Sequence, residues 1–408
     1  MFPGFGTRSW KSLIPCSGVP FLLFGAAALC LFLSCCSAFA QSQSGNVTDF
    51  SNFRPRREMP GERFVGREVC ANCHKSKNQT QSRTAMAQAL KNAVESEVLR
   101  SHPKMTFRSG QYSFEIVSEG GQNLYRVSDG KETISAPILY AFGNAHVGQT
   151  YVYRRNGKLY EGRVSYYTAI DRLDWTIGDV LNPPPGLEEA AGRDINGDEA
   201  RNCFSCHGTG AVVDTKLRLE HLVPGVTCEA CHGPGASHAA AMLGSREGKG
   251  DIFNPLTLDA EGLSQEFCGA CHRGVDTVAM MPNLGGINNV RFQPYRLFNS
   301  RGHDPKDPRF ACTACHDPHR DLNRAHETYD AHCTTCHAPR GADRAPTGNR
   351  NSKAPGKSLI PSARAKSCPV GNATCVSCHM PKVELPGAHF KFTDHRIRIA
   401  RAGEAYPY

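Results

Sequence analysis

Fourteen of the 19 cysteines fall into seven C-x-x-C-H units. They are Cys70–Cys73–His74, Cys203–Cys206–His207, Cys228–Cys231–His232, Cys268–Cys271–His272, Cys312–Cys315–His316, Cys333–Cys336–His337 and Cys375–Cys378–His379. Random placement of 19 Cys and 17 His would give about 0.04 such units, and the pattern is the signature of covalent haem attachment. The spacing suits the chemistry. Two thiols add across the two vinyl groups of one haem, a single turn presents both sulfurs to one porphyrin edge, and the next residue binds iron as the proximal ligand. Zinc ribbons also use C-x-x-C pairs, but need no His after each second Cys. Thioredoxin-like sites use one pair rather than seven, and a disulfide framework would not repeat the His. The expectation is seven c-type haems, with the seven motif histidines as proximal ligands.

The elements that position these groups follow from composition and pattern. Residues 1–40 read as a secretory signal: Arg8 and Lys11, an apolar stretch from about Phe21 to Leu33, then Ala38-Phe39-Ala40. Residues 41–66 form a linker and 67–105 a first haem module. The 128 residues between the first two motifs differ in kind. Tyr112–Ile116 alternates, Leu124–Val127 precedes Asp129-Gly130, and Tyr151–Tyr153 leads through Asn156-Gly157 to Leu159-Tyr160. This predicts an antiparallel β-meander over 106–170, then a connector over 171–200 with a boundary at Pro183-Pro184-Pro185-Gly186. Asp194–Asp198 resembles a calcium loop only superficially, because Glu199 stands where the turn glycine belongs. The six remaining motifs, within a cluster over 201–408, crowd into Cys203–His379 at about 30 residues each, too densely for a conventional side-chain core. The fold class expected is a multihaem cytochrome c of short α-helices and loops wrapped around stacked haems, with the meander inserted.

Charge is consistent with export rather than nucleic-acid binding. Removing Arg8 and Lys11 with the signal takes the formal charge from +9 to +7. Seven ferric haems, each with two propionates, add about −7, so the loaded protein is near neutral. The placement expected is periplasmic or extracellular, with redox proteins as partners and a membrane anchor only if the signal is retained. Cys368 is left over, as a buried thiol or a site for an intermolecular link, the former favoured.

Several stretches resemble the cytochrome c-554 and c-prime group: Phe64–Cys70 with Thr84–Ala87, Gly225–Gly235 with His238, and Cys315-His316-Asp317-Pro318-His319. The tail Cys378–Lys382 with Phe392–His395 resembles a wider superfamily that includes pentahaem nitrite reductases and hydroxylamine oxidoreductase. The resemblance implies stacked, mostly bis-histidine haems and electron transfer.

Ten histidines lie outside the motifs, and seven irons need at most seven of them. His319 stands three residues after His316, too near to reach the far face of the same haem, so it is expected on a neighbouring one. His238, after His232, follows the same logic. His389 and His395 match the family pattern, and His146 and His221 are weaker candidates. Near the first haem the family position holds Met86, whose alternative role is core packing. His102, His303, His326 and His332 are left as surface or propionate partners, His332 being the strongest exception.

Electron transfer is the function this predicts. The alternatives are an oxidoreductase of nitrite or hydroxylamine at one open haem, and a subunit of a haem filament. All seven motifs end in His, whereas the pentahaem nitrite reductases carry a Lys in one. If the first haem were open, Tyr151, Arg163 and Tyr166 of the meander would be the polar groups roofing it. Closure is the expectation.

Overall fold

The computed structural model describes residues 64–178, 184–244, 252–280, 286–337, 368 and 373–406. The expected signal, most of the linker and Pro183 lie outside the described residues, as does the side chain of Cys336.

One antiparallel sheet of nine strands dominates the N-terminal half. Its strands are β1 (Leu90–Asn92), β2 (Lys104–Ser109), β3 (Tyr112–Glu119), β4 (Gln122–Ser128), β5 (Thr133–Phe142), β6 (Gly148–Arg155), β7 (Lys158–Tyr167), β8 (Arg172–Trp175) and β9 (Gly192–Asp194). Strands β2 to β8 are neighbours in chain order, β1 adds to β5, and β9 adds to β7. Alternation makes the strands: Tyr112, Phe114 and Ile116 of β3 are buried, with Phe114 opposite Val127 and Ile116 opposite Tyr125. Turn chemistry sets the register. Asn156 and Gly157 join β6 to β7 with φ of 50° and 76°, the left-handed pair of a two-residue hairpin. The Asp129 carboxylate accepts from the Lys131 and Glu132 amides, both at 2.8 Å, to close the β4–β5 turn.

The sheet has its own apolar core. Tyr125, Tyr153 and Tyr160 stack at 5.1 and 5.5 Å, and the helix Leu187–Ala191 closes over them with Ala190 and Ala191 buried. The Tyr153 hydroxyl donates to the Ala191 carbonyl at 3.0 Å. Gly162 lies where a Cβ would come within 2.8 Å of the Tyr125 ring, so the packing needs glycine there.

The sheet reaches past the bounds expected from sequence, from Leu90 to Asp194 rather than 106–170. Its extra strands are β1, β8 and β9, of three or four residues each and too short to show alternation, and β9 returns to the sheet after the proline boundary. Tyr151, Arg163 and Tyr166, the groups named for the case of an open first haem, are buried within the sheet's own packing and do not line the cavity described below.

A second apolar cluster joins the sheet to the helix Asp198–His207. Phe204 is fully buried, edge-on to Tyr140 at 5.0 Å and Phe142 at 5.1 Å. Beyond it the chain becomes short helices and turns, among them Cys228–His232, Ala236–Leu243, Gly269–His272, Gln293–Phe298, Cys312–Cys315, Glu327–His337 and Cys375–His379. Both apolar clusters of the described residues belong to the sheet or to its junction with Asp198–His207. Among the described residues no helix is long and apolar enough to cross a membrane.

Candidate haem-binding cavity

Each C-x-x-C-H unit lies on or at the end of a helical turn, which brings the paired cysteines to one side. The turns are held by contacts from other motifs. Glu229, between Cys228 and Cys231, accepts from the amides of Val65 at 2.8 Å, Gly66 at 2.9 Å and Gly235 at 2.8 Å. This fixes the third motif to the start of the helix Arg67–Cys73, which carries the first. Gln81 adds a bond to the Val226 carbonyl at 2.7 Å. Ser264, on a π-helical turn over Gly262–Cys268, accepts from the Cys312 amide at 3.2 Å, linking the fourth motif to the fifth. Asp330, in the helix of the sixth motif, accepts from Thr374 at 2.6 Å and Cys375 at 2.9 Å, capping the helix of the seventh.

The cysteines of different motifs also meet. Hydrogen bonds join Cys70 to Cys228, Cys268 to Cys312 and Cys333 to Cys375. Within the first two pairs the proton stays with Cys70 and Cys268, and the hydrogen bond they donate pushes the Cys228 and Cys312 thiols down. Cys206 approaches the Ala270 carbonyl at 3.9 Å, bringing the second motif to the fourth.

These turns enclose one cavity of ≈ 5240 Å³, several times an ordinary ligand pocket of about 300–1,000 Å³. All seven motif histidines line it. So do seven others: His146, His238, His303, His319, His326, His332 and His395. Met86 lines it too.

Three of these histidines face motif histidines. The ring centroids are 6.5 Å apart for His74 and His238, 6.0 Å for His232 and His319, and 6.2 Å for His316 and His395. Two imidazoles bound to opposite faces of one metal at about 2.0 Å per bond place their ring centres about 6 Å apart. The structure thus brings His238 opposite the first motif, His319 opposite the third and His395 opposite the fifth. The position across from His74 is filled by His238 rather than by Met86.

Tautomers fit metal binding as well. Nδ1 of His207, His232, His379 and His395 lies 2.8–3.1 Å from the carbonyl oxygens of Ala89, Phe253, Arg398 and Thr393. A proton on Nδ1 puts the lone pair on Nε2, the nitrogen a metal takes, and an outer hydrogen bond of this kind orients a ligating ring. Enclosure by protein pushes His232 and His316 below the usual imidazole range, and His395 to about 4, so these rings are neutral at pH 7. The donor set therefore fits low-spin iron held by two imidazoles.

Other histidines are placed elsewhere. His389 packs on Tyr167 and bonds Asp174 at 2.8 Å, on the sheet. His221 lies in the turn Leu219–His221, and His102 bonds Asp171 at 3.0 Å. None of the three lines the cavity. His303, His326 and His332, expected as surface or propionate partners with His332 the exception, all line it. A signal was available only by elimination, since ten candidates for seven irons leave three to be discarded. Cys368 is exposed and lines the cavity, which corrects the expectation of a buried thiol.

Comparison with known proteins finds other cytochromes. Residues 186–233, which hold the second and third motifs, match the family described as cytochrome c554 and c-prime. A segment of 128 residues is 31% identical to the C-type polyheme cytochrome OmcC of Geobacter sulfurreducens, covering 29% of this chain and 14% of that one. A segment of 207 residues is 28% identical to the multiheme cytochrome MtrA of Shewanella baltica, covering 45% and 53%. The chain thus spans about half the length of one curated relative and a seventh of the other. The solved structure of the outer cell wall cytochrome OcwA aligns over 82% of this chain and 79% of that one, with TM-score 0.44 and 17% identity. The attachment motifs and these sequence matches support a multihaem c-type cytochrome, whose cofactor is haem c. Within that class, its 186–233 segment is similar to the cytochrome c-554 and c-prime group.

Proposed function

We propose that the chain is an exported heptahaem electron carrier in which every iron is closed by two histidines. One observation carries the reading: the cavity is lined by seven histidines beyond the seven of the motifs, one for each expected iron. His238, His319 and His395 serve the first, third and fifth motifs, and their ring separations support this. His146, His303, His326 and His332 are the ligands left for the other four. When bound, the haems supply one-electron chemistry at iron. The residues of this chain hold His232, His316 and His395 neutral by burial, orient His207, His232, His379 and His395 through Nδ1, and bring attachment turns into contact in pairs. With no iron left open, there is no position for nitrite or hydroxylamine to bind. Partners are redox proteins that touch the exposed edges, and the compartment is the periplasm or cell exterior, where attachment to C-x-x-C-H takes place.

Intact mass of the mature protein tests the haem number: the chain should gain seven haem masses. Electron paramagnetic resonance of the fully oxidised protein tests closure. Only low-spin ferric signals are expected. A high-spin signal, or rapid cyanide binding at one haem, would hand the site to the oxidoreductase reading.

A further inference from the structure

Glu229 is a carboxylate only 2% exposed, within the third attachment turn and bonded to the backbone that begins the first. Its three partners are all backbone amides, so no cation neutralises it through these bonds. The first-position sulfurs of the two motifs, on Cys70 and Cys228, meet beside it through their own hydrogen bond. The negative charge of Glu229 is felt at both, opposing ionisation of either thiol. In the loaded protein those sulfurs are thioethers on two different porphyrins. A fixed negative charge at that junction stabilises the ferric state of both irons over the ferrous, and a dry setting strengthens the effect.

We propose that Glu229 is a shared potential-setting residue, which lowers the reduction potentials of the first and third haems together and makes them a matched low-potential pair. Arg67 is the counterweight. It lies on the helix of the first motif, donates to the Gln81 side chain at 2.9 Å, and acts on Cys228 with the opposite sign. This proposal rests on haem being attached at both motifs. Mass and absorbance report loading independently, so a failure of loading is distinguishable from a failure of tuning.

The test is a spectroelectrochemical titration of the seven-haem protein. Gln keeps an oxygen that can accept from Val65 and Gly235 but sets its NH2 against the Gly66 N–H, so the loading of Glu229→Gln is measured by mass and absorbance before its potentials are read. Two of the seven potentials should move up and five should stay. Arg67→Gln should move the same two down, and it serves as the second arm should Glu229→Gln fold poorly. A fully loaded Glu229→Gln protein with unchanged potentials overturns the proposal. So does a shift spread evenly over all haems, which would mark Glu229 as a structural latch only. If Glu229→Gln does not load, an Arg67→Gln protein with unmoved potentials overturns it equally.

Discussion

An imidazole that takes iron through Nε2 must keep that nitrogen unprotonated and its ring aimed. In this chain, backbone carbonyls aim the rings of His207, His232, His379 and His395 and set the tautomer that leaves the Nε2 lone pair free in the neutral ring. His319 is held differently, with its Nδ1 3.2 Å from the Asp317 carboxylate. This gives a contrast between two histidines that look alike in sequence. His319→Ala should open one iron, so oxidised protein should gain one high-spin signal and bind cyanide at that site. His389→Ala should leave all spin states unchanged and loosen only the contact with Asp174 and Tyr167. A high-spin signal from the His389 variant would restore the family-based assignment of that residue. The attachment residues were legible because their spacing is the chemistry. The distal set was not, because a distal histidine is fixed by tertiary placement alone. His332 beside Cys333 and His389 beside the last motif offer equally good sequence neighbourhoods, yet only the first lines the cavity.

Elements act here by holding one another's ends. The helix Cys375–His379 begins after Thr374, whose φ is 56° and whose side chain gives no cap. The missing cap comes from Asp330 on the helix Glu327–His337, far away in sequence. Asp330→Ala should cost about 1 kcal/mol, as a lost N-cap does. Because the carboxylate joins the sixth motif to the seventh, thermal melting followed in the Soret band should show the loss, and Asp330→Asn should recover part of it. A stronger lock sits beside His395. Arg296 and Asp394 are both fully buried and bonded through two oxygens at 2.8 and 2.9 Å, and Tyr406 stacks over the guanidinium at 4.6 Å. Removing Asp394 takes away the carboxylate that neutralises the buried Arg296, a change that typically costs about 3–5 kcal/mol, whereas without Arg296 the Asp394 carboxylate keeps Arg398 at 2.9 Å. The hairpin at Asn156-Gly157 was readable from residue type, since both positions need positive φ. Strand β9 was not, because three residues paired across a long connection leave no local pattern.

For the molecule as a whole, charge on the sheet surface gives a pH dependence whose sign is fixed. Hydrogen bonds from Lys104 to Glu115, from Arg126 to Glu119 and from Arg155 to Glu188 hold these carboxyls below the usual range. A carboxyl with a depressed folded value contributes stability above its unfolded value, about 4.3 for Glu, and loses it as pH falls. The pairs are exposed or half-buried, so each contribution is small. Glu115→Gln should therefore be slightly less stable than the parent at pH 7, with the difference shrinking as the solution is taken below about pH 4. Denaturant melts of the sheet at both pH values measure it, and a difference that grows on acidification contradicts the assignment.

The two halves of this chain are stabilised by different materials, and that sets an order of maturation. The sheet from Leu90 to Asp194 closes over side chains it already possesses. The helical part lines a cavity of ≈ 5240 Å³ that is partly open to solvent, and its walls gain the contacts of a packed interior only when porphyrins fill it. A newly exported chain without haem should thus contain a finished sheet beside attachment turns that remain open to the machinery that joins thiol to vinyl. Limited proteolysis of unloaded chain should leave a fragment spanning roughly residues 90–194 and consume the rest, whereas loaded protein should resist throughout. Phe204, seated on Tyr140 and Phe142, would make the second motif the first to be held in place. The sheet would then act less as a part of the electron route than as the template on which the route is assembled.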